Sequence, residues 1–255
     1  MRLMSTTVLA ALSALSLTLA TGAFAAPPTG IETALADKGR PAEDVARDAA
    51  RKPADMVAFA GIKPGDTVID FIPGGGYFTR VFSGVVGPKG HVYAMVPQVA
   101  AAYQATLTAT IETFAKDHPN TSVVIVPLGS LSADKPADVF WTAQNYHDLH
   151  IPFAPDAKPI DMVGYNKLVW AALKPGGLYV IVDHVAKAGA TDADVKALHR
   201  IDPAVIIKEV EAAGFKLEGR SDALANPADP HTANVFDLSI KGKTDQVTLK
   251  FRKVG

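Results

Sequence analysis

The chain has 255 residues, 25 Lys and Arg against 26 Asp and Glu, and no cysteine. A net charge of −1 with acids and bases mixed along the chain gives no footing for nucleic acid. The missing cysteine excludes disulfides, protein-bound iron–sulfur clusters and thiol nucleophiles, so the fold must be held by an apolar core.

Residues 1–25 carry Arg2, an apolar stretch and then Ala23-Phe24-Ala25. That layout predicts a secretory signal peptide cleaved after Ala25, hence a periplasmic protein with no stable membrane insertion after cleavage. The run is shorter and richer in Ala and Ser than the ~20 apolar residues of a membrane span. Residues 26–42 read as a Pro- and Gly-bearing lead-in, and residues 43–255 as one domain. From Glu43 the pattern is helical, broken at Pro53 and stopped at Gly61. "TVIDFI" is a buried strand that ends beside Asp70, and Gly74, Gly75 and Gly76 follow it. Phe78, Val81, Phe82 and Val85 then recur at helical spacing. "HVYAMV" is the second strand, "QVAAAYQATLTATIETFAKDH" one long helix, and "TSVVIVPL" the third strand. "ADVFWTA" is the fourth strand and runs into the polar "QNYHDLH". "MVGYNKLVWAAL" is a helix stopped by "KPGG", and "LYVIVDHVA" is the fifth strand. "AVIIKEVEAAGF" is a helix stopped at Gly214. "KLEGRS" and "QVTLKFRKV" are the last strands, with no long helix between them.

Strands alternating with helices predict a single doubly wound α/β sheet, mostly parallel and seven-stranded, closed by an antiparallel strand. Ligands of such sheets bind beyond the carboxyl ends of the strands, where strand order reverses. Three glycines between a strand and a helix N-terminus suit that place, because bare N–H groups there can face a carboxylate or phosphate. The same glycines also serve a tight turn that only packs, and the pattern alone leaves the two readings open.

The order of "IKPGDTVIDFIPGGGYFT", "VGPKGHVYA" and "LVWAALKPGGLYVIVD" resembles a class I S-adenosylmethionine-dependent methyltransferase, over nearly the whole chain from Ala26. More narrowly, it is similar to a group of exported bacterial proteins labelled predicted methyltransferases. The resemblance implies a Rossmann-like methyltransferase fold, S-adenosyl-L-methionine as cofactor and a small-molecule acceptor. It implies cofactor contacts at Asp70, Gly74, Gly75, Gly76, Gln98 and Ser130. Three residues depart from the family pattern. Ile72 stands where the first glycine of the loop is usual, Val96 where an acid grips the ribose hydroxyls, and Ser130 where an acid is common near the adenine.

Asn145, His147, Asp148 and His150 follow the fourth strand, Asp183 and His184 end the fifth, and His199, Arg200 and Asp202 come soon after. Four of the seven histidines lie in these segments. The expected catalytic residues are His147 or His184 as proton acceptor, with Asp148 or Asp183 orienting the imidazole. His and Asp side chains also suit a divalent metal. H-D-x-H matches no recognised ligand spacing, however, and no metal is assigned. Because S-adenosylmethionine is made in the cytosol, export sets a second function beside methyl transfer: a non-methylating, ligand- or metal-binding protein on a degenerate methyltransferase scaffold.

Overall fold

The structure, a computed structural model, describes residues 30–152 and 157–255. The expected signal peptide and its cleavage point lie outside the described residues. In chain order the elements are α1 (Ile31–Leu35), α2 (Ala42–Val45), α3 (Asp48–Arg51), α4 (Pro53–Ala60), β1 (Thr67–Phe71), α5 (Tyr77–Val86) and β2 (His91–Pro97). They continue with α6 (Gln98–Tyr103), α7 (Ala105–Asp117), β3 (Thr121–Val126), β4 (Ala137–Ala143), α8 (Met162–Ala172) and β5 (Leu173–His184). The chain ends through α9 (Asp192–Leu198), α10 (Pro203–Ala212), β6 (Phe215–Ser221) and β7 (Gln246–Lys253). Among the described residues, no helix is long and apolar enough to cross a membrane.

All seven strands form one sheet in the order β3-β2-β1-β4-β5-β7-β6. The β1–β2, β1–β4, β2–β3 and β4–β5 pairs are parallel, and β7 runs antiparallel to both neighbours. β1 is interior, paired on both sides, and β4 holds the middle place. The strand order reverses between β1 and β4, which puts the crevice beyond their carboxyl ends.

Strand side chains alternate in direction, so one apolar run feeds two cores. Ile69, Phe71, Phe140, Tyr179 and Ile181 pack toward α8 and α10. Val68, Val139, Trp141, Val180 and Val182 pack toward α1, α4 and α5. Asp70 shares the parity of Val68 and therefore faces α5.

Four local readings change. Part of the segment read as a lead-in is packed: Ile31 and Ala34 of α1 are buried with Val81, Phe82 and Val85 of α5. The single helix expected after β2 is two, α6 and α7, interrupted at Gln104 (φ −118°). "KPGG" lies inside the start of β5, where Gly176 (φ +73°) accompanies a register shift against β4. Finally, α9 was not anticipated. It is seven residues long and depends on a capping box, in which Thr191 accepts the Asp194 N–H and Asp194 accepts the Thr191 N–H.

Candidate functional site

The loop after β1 carries unusual backbone. Gly74 (φ +57°) and Gly76 (φ +82°) are left-handed, as glycine permits, but so is Ile72 (φ +53°). Ile72 is held there by its own N–H to the Met95 carbonyl (2.9 Å) and by Asn145 Nδ2 donating to its carbonyl (3.1 Å). Across the crevice, Gln144 is left-handed too, at φ +62°. Strain of this kind gathers where a site over-determines its backbone.

Asp70 is buried beneath the loop and accepts a hydrogen bond from Thr79 Oγ1 at 2.6 Å. Burial pushes its carboxyl up to about 6, against the opposing pull of Thr79, Arg51 and Arg80. Above the loop, α3 and the turn before it supply Arg51 and Arg47. The Arg51 guanidinium is 4.8 Å from the centroid of the Tyr77 ring and donates to Gln144 Oε1 at 3.3 Å. Burial, with Arg47 adding to it, lowers Arg51 to about 10, so it remains a cation at neutral pH. Tyr77 is fixed in turn by donating to Asp48 Oδ1 (2.6 Å), which also takes the Arg40 fork. Arg47, Arg51, Asp70, Gly74, Gly75 and Gln144 help to line a hollow of about 140 Å³. The N-terminus of α5 opens there without a side-chain cap on its N–H groups. A Cβ at Gly74 would meet nothing within 4 Å among the described residues, so the loop backbone borders open space.

A second hollow, about 170 Å³, meets the first at Ile72 and Asn145. Ala100 and Gln104 wall it on the β2 side, and Asp148, Ile151 and His199 on the β4 side. The sequence places His147, Asp148 and His184 together at this mouth; the structure keeps them close, with the His147 and His184 rings 5.9 Å apart, but only Asp148 of the three lines the hollow. His147 is buried behind the wall, its Nδ1 2.7 Å from Asp183 Oδ1 and its Nε2 3.2 Å from Asp148 Oδ1. Burial alone would lower its pKa, but the charge of Asp183 and the bonds to both carboxylates hold it at about 10. Both ring nitrogens of His147 are thus turned to carboxylates and its ring is buried, whereas the base role expected of it needs a nitrogen at the hollow.

His184 follows Asp183 on the same strand and so points to the other face. Its Nδ1 is 2.7 Å from Thr244 Oγ1, and burial pushes it down to about 4. Asp148 and His199 are the members of the cluster that reach the hollow. His150 is turned to Glu209 (3.2 Å), and Arg200 is buried in an ion pair with Asp229. Of the remaining expected contacts, Gln98 is exposed at the start of α6. Ser130 borders a different hollow with Leu168 and Ala171, away from the glycine loop. Arg51 and Gln104 were missed. Arg47 and Arg51, four residues apart in "ARDAAR", were the available signal for a shared helical face.

The residues of the two joined hollows fit S-adenosylmethionine in part. Its amino-acid carboxylate suits Arg51 and the uncapped α5 terminus, and its cationic centre suits Asp70. On the ribose side Val96 is buried and apolar, which leaves Gln104 as the polar group on that wall.

No protein-family model matches the chain, and no curated protein matches it in sequence. Solved structures do resemble it. A SAM-dependent methyltransferase from Aquifex aeolicus superposes with a TM-score of 0.55 at 16% identity, over 82% of this chain and 98% of that one. An arsenic(III) S-adenosylmethionine methyltransferase from Chlamydomonas reinhardtii gives 0.52 at 18% identity, over 90% and 75%. A SAM-dependent O-methyltransferase from Thermotoga maritima gives 0.52 at 16% identity, over 80% and 65%. At these identities the likeness is one of fold: the chain has the Rossmann-like methyltransferase architecture.

Proposed function

We propose that this protein transfers a methyl group from S-adenosylmethionine to a small-molecule acceptor. The observation that carries the reading is the loop from Ile72 to Gly76, left-handed at Ile72, Gly74 and Gly76, poised over buried Asp70 and under Arg51 at the point where strand order reverses. When bound, the cofactor supplies a methyl group activated on a sulfonium. The chain's own contribution is placement. Arg51 and the α5 N–H groups hold the carboxylate end, Asp70 offsets positive charge beneath it, and Asn145 pins the loop by its bond to the Ile72 carbonyl. The acceptor's side of the crevice is the wall of Asp148, Ile151 and His199. Holding two reactants in line is worth several kcal/mol of barrier.

Isothermal titration with S-adenosylmethionine and S-adenosylhomocysteine tests the reading. Micromolar binding of both, weakened at least tenfold by Arg51→Met, is expected. No binding of either at millimolar concentration would overturn it.

The N-terminal pattern around Arg2 and Ala23-Phe24-Ala25 supports a further proposal, that the chain is exported to the periplasm. N-terminal sequencing of periplasmic material should begin at Ala26, whereas an intact Met1 on soluble protein would count against export.

A further inference from the structure

We infer that His147, Asp148 and His199 form a binding site for one divalent transition-metal ion, open on one side to the second hollow. The inference does not rest on methyl transfer; it stands on the positions of a few side chains.

Three donor atoms converge. His147 Nε2 and His199 Nδ1 each lie 3.2 Å from Asp148 Oδ1, and all three atoms fall within 4.8 Å of one another. Zinc bonds of ~2.0–2.2 Å in a tetrahedron put neighbouring ligand atoms ~3.3 Å apart. Two of the three edges already have that length. Asp148 and His199 both face the hollow, so the remaining coordination positions open toward it and not into protein.

The surroundings of His147 match what a ligand histidine needs. Its Nδ1 is bonded to Asp183, a carboxylate with no exposed surface that also accepts the N–H groups of His147 and His184, at 2.8 and 2.7 Å. A buried carboxylate on the far nitrogen fixes the ring and leaves the near nitrogen for the ion.

His199 gives the second line of argument. A histidine bridging two carboxylates would be a satisfied network without any ion, but that network has no need of His199. Yet His199 ends α9 in a left-handed conformation, φ +53°, unfavourable for any residue with a Cβ. Its ring meets the same Asp148 oxygen at 3.2 Å, with the Phe236 ring edge-on to it at 5.0 Å. Two imidazoles and one carboxylate suit zinc, cobalt, nickel or iron(II) over magnesium and calcium.

Zinc is the probe. Untagged full-length protein, stripped with chelator and dialysed, should take up one Zn²⁺ per chain in elemental analysis and titrate with a micromolar or tighter Kd. His199→Ala, a partly exposed change, should weaken that binding at least tenfold while the thermal transition persists. Asp183→Asn should weaken it about 10–100-fold if it folds. His118→Ala, remote from the cluster, should bind as wild type. Absence of a zinc equivalent in wild type, or an affinity untouched by His199→Ala, would overturn the site. Either result leaves the titration with S-adenosylmethionine, and the methyl-transfer reading, to stand or fall separately.

Discussion

Asp70 stabilises the fold least when it is charged. Its carboxyl titrates at about 6 in the folded protein because burial dominates, against ~3.9 in an unfolded chain. The folded state therefore holds the extra proton between those values. The stability contributed by neutral Asp70 is complete below ~3.9 and lost as pH rises through about 6, and a gap of about two pH units corresponds to ~3 kcal/mol. Asp70→Asn cannot ionise, so its melting temperature should gain on wild type as pH goes from 4 to 7, while affinity for S-adenosylmethionine falls. A difference that stays constant across that range would show the carboxylate to be solvated after all. Ile72 supplies a second test. Ile72→Ala keeps the left-handed backbone and loses the half-buried side chain, whereas Ile72→Gly also relieves ~1–2 kcal/mol of strain. The usual order should therefore invert, with the glycine variant unfolding at higher urea than the alanine variant. The sequence marked Asp70 and the glycines as important because acid and glycine are visible as residue types. It marked Ile72 only as a departure, since backbone handedness is set by the Asn145 and Met95 contacts and not by the local string.

At the scale of elements, the interior strands were legible because β1, β2 and β4 are short apolar runs between turn residues and are buried on both faces, whereas β6 alternates buried and exposed residues as an edge strand does. Helices were less legible. α9 has one buried residue, Val195, so it shows no apolar periodicity to read. Its stability comes from its cap. Thr191→Ala should cost ~1 kcal/mol, read as a lowered urea midpoint, and Thr191→Ser should restore most of it. Because α9 delivers His199, the alanine change should also weaken zinc binding. A lowered midpoint with unchanged zinc affinity would mean that the turn, and not the helix, positions that ring. The histidine cluster was half legible for a related reason. Sequence places Asp183 and His184 at one strand end, but a strand alternates, and only one of two neighbours can face a given side.

The whole molecule is tied together at Arg200. Its guanidinium, with no exposed surface, donates to the carbonyls of Ala233 (2.9 Å) and Val185 (3.1 Å) and forks onto buried Asp229 (2.8 and 3.2 Å). Val185 follows β5, Arg200 follows α9, and Asp229 and Ala233 belong to the long connection between β6 and β7. Asp229 also accepts the N–H groups of His231 and Asp245. Val235 N–H and the Asn234 side chain then reach the carbonyls of Leu198 and Ala197. A connection with no regular element between β6 and β7 is thereby fastened to the helix that carries His199. None of this was legible beforehand: Arg200 read as a residue near the crevice, because nothing local to "LHRID" names a partner 29 residues away. Removing one partner of a buried ion pair strands the other charge and costs ~3–5 kcal/mol. Asp229→Ala is therefore expected to lower the unfolding free energy from urea titration by that amount and to open the connection to protease before the sheet unfolds. Arg200→Met with Asp229→Leu, which removes both charges and keeps bulk, should recover much of the loss. If the single change costs less than ~1 kcal/mol and cleavage is no faster, the pair is not what holds the connection. His199 would then owe its position to the α9 cap alone.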